Sequence, residues 1–205
     1  MFQLGRFASL AELVPPLLAE AAAKGNLYAS TYFRASYAVN AWLIRGAVDE
    51  AREHLACAAR EWTAPGVQLT HCWLLIGRCH LALYTGETRG LWASVTDAWP
   101  RFVEARFLRI VVLRLQLWQL RAMAAFAEAR AASGLEQHAR AAALQREGRA
   151  AALRLSRERL PAAEPLSALL LAAFDHAGGK PERAIAGLER CIAGFEERAM
   201  LAYAA

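Results

Sequence analysis

Along most of the chain apolar side chains recur every three or four positions, and short clusters of glycine, proline and polar residues separate these runs. Residues three, four and seven apart share one side of a helix, so the pattern is that of helices with one buried face. The breaks have chemical causes. GN at 25–26, APG at 64–66, LPAAEP at 160–165 and GGKP at 178–181 combine glycine for a left-handed C-terminal cap with proline at or before a first turn. The pattern predicts about nine helices, over 7–24, 27–45, 47–63, 67–85, 88–103, 105–133, 135–159, 164–177 and 181–200. Pro15 and Pro16 are expected to kink the first or shift its start, and Pro100 to do the same near the end of the fifth. Short connections make successive helices antiparallel neighbours.

Gly5, Gly46, Gly86, Gly134 and Gly179 each close one apolar run and open the next, at intervals of 40 to 48 residues. Such a period marks stacked helix pairs. Five places after each glycine stand Leu10, Ala51, Leu91, Ala139 and Ala184, and nine places after stand Val14, Leu55, Val95, Ala143 and Leu188. Twelve places on, Leu17, Ala58, Ala98 and Cys191 are apolar, while the fourth unit has Arg146. Sixteen places on come Ala21, Trp62, Phe102, Ala150 and Phe195. The expected fold is all-α: a right-handed solenoid of antiparallel helix pairs, tetratricopeptide-like. Because MFQLG reads as the tail of one helix and the turn into another, residues 1–205 are expected to be a single helical-repeat domain cut mid-repeat at both ends from a longer solenoid. Leu10, Val14, Leu17 and Leu18 at one end, and Met200, Leu201 and Tyr203 at the other, would then face water.

Composition agrees with helices. The 205 residues are 57% hydrophobic and 21% charged, and Ala, Leu, Arg and Glu dominate. The most apolar stretch, FLRIVVLRLQLWQLRAMAAFA, is broken by Arg109, Arg114 and Arg121, which would be costly in a bilayer, so it reads as a buried helix of a protein outside the membrane. No secretory signal is visible, and Cys57, Cys72, Cys79 and Cys191 form no CxxC pair. They read as reduced core residues of a cytoplasmic protein.

Catalytic motifs are missing. The chain has no HRD or DFG sequence and no GxxxxGK[ST], and its only lysines are Lys24 and Lys180. His71, Cys72, Cys79 and His80 invite a metal reading, but at about 100° per residue the histidines lie on opposite sides of the helix that the cysteines share. No metal or cofactor is expected. His54, His138 and His176 are scattered, and Asp49, Glu87, Glu136 and Glu182 each fall where a helix N-terminus favours negative charge.

Charge and aromatic content say more. The net charge is +5, and residues 101–159 hold twelve arginines against five acids. Such a stripe suits nucleic-acid phosphates or an acidic protein surface. The arginines of 105–133 are interleaved with Leu, Ile and Val, which argues against nucleic acid. Tyr28, Tyr32, Tyr37 and Trp42 line one predicted helix, with Tyr37 about 180° from Tyr28. Together with Arg109, Arg114 and Arg121 they form the candidate groove, since stacked helix pairs present a concave face that holds a peptide or partner segment.

The stretches VQLTHCWLLIGRCHLALYTGETRGLWASVTDAWPRF, LRIVVLRLQLWQLRAMAAFAEA and FDHAGGKPERAIAGLERCIAGFEERAMLAYAA carry a resemblance. They are similar to the C-terminal tetratricopeptide-type region of large bacterial serine/threonine protein kinases of the myxobacterial type, which have a central ATPase module. Tyr84, Gly86, Trp99 and Pro100 are its strongest elements, and the period is longer than the standard 34 residues. The resemblance implies a non-catalytic interaction or regulatory segment of a multidomain signalling protein. Its partner would be a protein or peptide, including other domains of the same polypeptide. The alternative is an effector-sensing repeat domain of an ATPase-linked transcription regulator, whose groove would take a small molecule.

Overall fold

The computed structural model describes residues 6–204, with backbone alone at 201 and 202. Every regular element among these residues is helical. By internal packing the chain divides after Glu87 into two compact units. None of the helices among the described residues is long and apolar enough to cross a membrane.

The first unit contains α1 (Phe7–Ala23), α2 (Leu27–Arg34), a 3-10 turn (Ser36–Val39), α3 (Asn40–Leu43), α4 (Val48–Glu61) and α5 (Leu69–Thr85). Helix α1 starts at Phe7 and runs through Pro15 and Pro16, so the prolines do not shift its start. Its buried stripe, Leu10, Val14, Leu18 and Ala21, faces a core shared with α2 and α3. The expectation that Leu10, Val14, Leu17 and Leu18 would meet water is therefore corrected: the following helices fold back over this face, Leu10, Val14 and Leu18 are buried, and only Leu17 is exposed. Asn26 starts α2 by accepting a hydrogen bond from the Ala29 N–H at 3.0 Å.

The helix predicted over 27–45 is broken. Ala35 is extended (φ −122°, ψ −146°) and Ser36 is left-handed (φ 53°). Helix α5 supplies the reason. A Cβ on Gly77 would lie 3.3 Å from the Ser36 nitrogen and 3.4 Å from the Ala35 carbonyl carbon. The broken segment thus rests its backbone closely on α5, where a side chain would press on that backbone and meet Leu55 Cδ2 at 2.7 Å. The helical phase changes at the break, which moves the side chains after it off the face that a continuous helix would give them.

The second unit contains α6 (Leu91–Glu104), a 3-10 turn (Phe107–Arg109), α7 (Val111–Gly134), α8 (His138–Leu155), α9 (Ala163–Ala177), α10 (Pro181–Glu197) and α11 (Leu201–Ala204). Helices α7 and α8 form one hairpin and α9 and α10 another, with α8 packed against α9. At Gly148 three helices converge, because a Cβ there would come within 2.2 Å of Phe174 in α9 and 3.0 Å of Ala125 in α7. Of the C-terminal apolar residues Met200 is buried and Tyr203 stacks on Phe195 with ring centroids 5.4 Å apart, while the Leu201 side chain lies outside what the structure describes.

One turn recurs in both units. At Gly25, Gly46, Glu136, Gly179 and Ala199 a residue with positive φ follows the helix. Its N–H donates to the carbonyl three residues back, and the next N–H donates to the carbonyl five residues before itself, all at 2.9–3.1 Å. This double bond closes two orphan carbonyls at each helix end and reverses the chain. Gly5 lies outside the described residues. Gly134 is not a turn residue: it ends α7 with ordinary φ, and Glu136 takes the left-handed position two residues later.

That slip of two changes which positions align. Counted from Glu136, the residues five and twelve places on are Ala141 and Gly148, both buried, instead of the exposed Ala139 and Arg146. They match Ala51 and Ala58, and Ala184 and Cys191, all buried. The position seven places before the turn is buried as well, at Val39, Cys79, Ala129 and Ala172. Sixteen places on, Ala152, Phe102 and Phe195 are buried and Trp62 is half-buried. The ninth-place column does not hold, since Leu188 is exposed.

Moving the glycine to the position that needs it should stabilise the protein. Glu136→Gly relieves a left-handed non-glycine residue and is expected to gain about 1 kcal/mol. Gly134→Ala, with open space around it, should gain about 0.5–1 kcal/mol. Gly148→Ala should cost about 1–3 kcal/mol by overpacking. Urea denaturation midpoints measure all three, and a Glu136→Gly midpoint at or below the parent's would contradict the turn assignment.

Candidate functional site

The predicted groove residues fall in both units, the four aromatics in the first and the three arginines in the second, and within each unit their surroundings differ. Tyr28 and Tyr32, one turn apart on α2, are partly exposed and both stand edge-on to Trp73, with centroids at 4.8 and 4.9 Å. Trp62 closes this aromatic rim 6.2 Å from Tyr28. Tyr37 and Trp42, beyond the break in the helix, are buried instead. Tyr37 packs edge-on to His80 at 4.9 Å, and Trp42 packs on His54 at 4.2 Å.

The arginines also part company. Arg109 is exposed in its 3-10 turn. Arg114 is a lock: its fork donates to both oxygens of Glu158 at 2.6 Å, and its Nη1 donates to the Leu108 carbonyl at 2.8 Å. Those bonds tie the start of α7 to the segments before it and after α8. Each of its three nitrogens therefore already donates one hydrogen bond.

Arg121 is different. Trp92 and Trp99, seven residues apart, share one face of α6, while Trp118 and Arg121, three apart, share one face of α7. The guanidinium lies 4.7 Å from the Trp92 ring centroid and 4.9 Å from that of Trp99. Trp99 and Trp118 in turn approach to 4.6 Å. The electron-rich ring faces hold the cation in place without using its N–H donors. Those donors meet only one acidic partner among the described residues, Glu147, at 3.4 Å.

Glu128 sets the register that makes this meeting possible. Its buried carboxylate accepts the Trp92 N–H at 2.9 Å, in the first turn of α6, and an Arg140 N–H at 3.0 Å. A carboxylate of α7 thus caps α6 and is held by α8, with the helix dipole adding to the attraction.

Trp99, Trp118, Arg121, Glu147, Ala150, Ala151 and Arg154 line a cavity of about 230 Å³ on these three helices. Arg154 is exposed and makes no ion pair among the described residues. The cavity therefore offers two guanidinium groups beside indole faces and small alanines. Such a lining can hold an anion attached to an apolar body.

Elsewhere the titratable groups serve structure. Cys72 and Cys79 are fully buried, and burial pushes both thiols up to about 12. Neither is a thiolate at neutral pH. His71 accepts the Gln68 N–H at 3.1 Å and so completes the N-terminal cap of α5. Of the acids placed by sequence at helix starts, Asp49 and Glu182 sit there, whereas Glu87 pairs with Arg52 at 2.7 Å. No group of three or more His, Cys, Asp or Glu converges among the described residues.

No protein-family model matches the chain, and no curated protein or solved structure matches it. The site therefore stands on its own geometry. Sequence reasoning singled out Arg121 but missed Trp92, Trp99, Trp118, Glu147 and Arg154. The spacing of seven between Trp92 and Trp99 was a signal of a shared face; which helix that face meets was not.

Removing the cation should loosen the cluster. Arg121→Ala is expected to cost about 1–2 kcal/mol, the value of two partly desolvated cation–π contacts, and Arg121→Lys less. Urea unfolding followed by tryptophan emission measures it, and an unchanged midpoint would remove Arg121 from the cluster.

His80 gives a pH signature. Burial pushes its pKa down to about 4, and its Nδ1 faces the Asn40 amide nitrogen, a donor, at 3.5 Å. The unfolded chain takes up this proton near pH 6.5, the folded one not until about pH 4, so stability present above pH 6.5 falls as pH drops through that window. Burial lowers His54 in the same sense. The expected loss from His80 is roughly 2–3 kcal/mol. His80→Gln should flatten the curve between pH 6.5 and 5, and an unaltered slope would place the imidazole in contact with water.

Proposed function

We propose that this chain is a non-catalytic interaction module, a solenoid segment of tetratricopeptide-like helix pairs, that docks a segment of a partner protein at the arginine–tryptophan cavity of its second unit. The observation that carries the reading is Arg121: a cation held over two indoles by contacts that leave its N–H groups open toward a cavity. Hot spots of protein interfaces favour this pairing of Trp and Arg. The recurring turn and its buried columns support the solenoid, because they give successive helices the same packing positions. The resemblance to kinase C-terminal regions supports a module of a multidomain bacterial signalling protein, whose partner would be another protein or a domain of the same polypeptide.

The effector-sensing alternative has one observation in its favour. A second cavity of about 330 Å³, lined by Phe126, Ala129, Arg130, Ser133, Gln145, His176 and Ala177, is of small-ligand size.

A photo-crosslinking amino acid in place of Ala150, introduced in the host cell, separates the readings. The docking module should yield one covalent polypeptide adduct, identified by mass spectrometry and lost when Trp118→Ala is added. Absence of a polypeptide adduct, together with a small molecule retained in native mass spectra until Arg130→Ala removes it, would contradict docking at this cavity. The purified chain should also hydrolyse no ATP, and turnover that survives stringent purification would overturn the non-catalytic reading.

A further inference from the structure

The docking reading leaves the occupant open, and the charges around Arg121 narrow it. Three arginines of this unit meet largely buried acids at short range: 2.6 Å for Arg114 with Glu158, 2.8 Å for Arg149 with Asp175, 3.0 Å for Arg140 with Glu128, while Arg198, 3.7 Å from the exposed Glu164, also reaches Glu197 at 2.6 Å and the Gly194 carbonyl at 2.8 Å. The acids of the first three pairs are 5–13% exposed. Arg121 has instead a single contact with Glu147 at 3.4 Å, although its own side chain is only 18% exposed. Glu147 is 57% exposed, so water competes for its carboxylate. A largely desolvated guanidinium with five donors is thus served by one long contact to an exposed acceptor.

We infer that the cavity takes an acidic side chain, aspartate or glutamate, from the docked segment, and that Glu147 is a built-in competitor for the same N–H groups. This rests on the docking reading above. With Arg121, Arg154 and Glu147 the lining carries a net charge of +1, which one incoming carboxylate neutralises. That carboxylate also meets Arg154, which Glu147 leaves unpaired. Ala150 and Ala151 and the Trp118 ring give the methylene part of the side chain an apolar surface. At about 230 Å³ the space suits one side chain better than a nucleotide or other drug-sized ligand. A phosphoryl group, carrying close to two negative charges, would exceed the lining's net +1, whereas one carboxylate matches it.

Calorimetric titration of the whole chain with three synthetic probes tests this: hexaglutamate, hexaglutamine, and a hexapeptide with phosphoserine replacing one glutamate. Hexaglutamate should bind and hexaglutamine should not. Glu147→Gln should tighten hexaglutamate binding about tenfold by removing the competitor. Arg121→Lys and Arg154→Gln should each weaken it about tenfold, since a lysine cannot present a planar fork. Far-ultraviolet circular dichroism checks that each variant is folded; Glu147 and Arg154 are exposed, so their substitution tests the site even where Arg121→Lys loosens the cluster.

Binding indifferent to all three substitutions would overturn the inference, because it would mark general attraction to a basic surface. Tighter binding of the phosphoserine probe would overturn the choice of carboxylate. If the titrations fail while the Ala150 crosslink still captures a polypeptide lost with Trp118→Ala, docking stands and the acidic occupant falls. If both fail, the docking reading falls with it.

Discussion

Everything in this fold depends on how its helices end. A helix leaves its last carbonyls without partners, and in a chain of short connections those carbonyls lie close to neighbouring helices. The left-handed turn at Gly25, Gly46, Glu136, Gly179 and Ala199 satisfies two of them at once and sends the chain back on itself. Because the geometry repeats, the small residues at fixed distances from each turn fall into equivalent buried positions. Helix axes can approach closely there. Gly148 shows how tight that approach is, with Phe174 and Ala125 on either side of the place a side chain would occupy.

Register set in this way has a functional result. The turn at Glu136 decides which faces of α7 and α8 oppose each other, and hence that Glu147 and Arg154 stand near Arg121 and Trp118. The buried Glu128 does the same for α6 by holding its first turn, which brings Trp92 and Trp99 over the same arginine. The cluster thus joins three helices through a cation, and the cation's donors are left for something else. Aromatic side chains without the arginine would make an ordinary core. An arginine without the indoles would be a mobile surface charge.

Much of the architecture was legible in the sequence because helix periodicity and glycine punctuation are local. Helices α1, α4, α5, α9 and α10 begin or end within a few residues of their predicted limits. What was hidden came from contacts distant in sequence. Nothing in LYASTYFRASYAVNAWL announces a break at Ala35 and Ser36, since the cause is Gly77 on another helix, and the misplaced phase carried Tyr37 and Trp42 into the wrong face. Glu136 read as an acid at a helix start, not as the turn residue, because glutamate is a poor residue for a left-handed turn; Gly134 nearby drew the assignment and made the fourth unit look divergent. The Arg121 site was half visible: basic charge in 101–159 and its interruption of an apolar helix marked the residue, while the tryptophans that hold it lie on a helix whose register is fixed by Glu128.

The central claim is that Arg121 is held over Trp92 and Trp99 with its N–H edge open. Side-chain NMR of the arginine Nε–Hε groups reads this arrangement directly. The account predicts one Hε resonance, assigned to Arg121 by substitution, shifted strongly upfield by the two ring currents and showing nuclear Overhauser contacts to both indoles. An Arg121 resonance at the position of a solvated arginine, without contacts to Trp92 or Trp99, would contradict it.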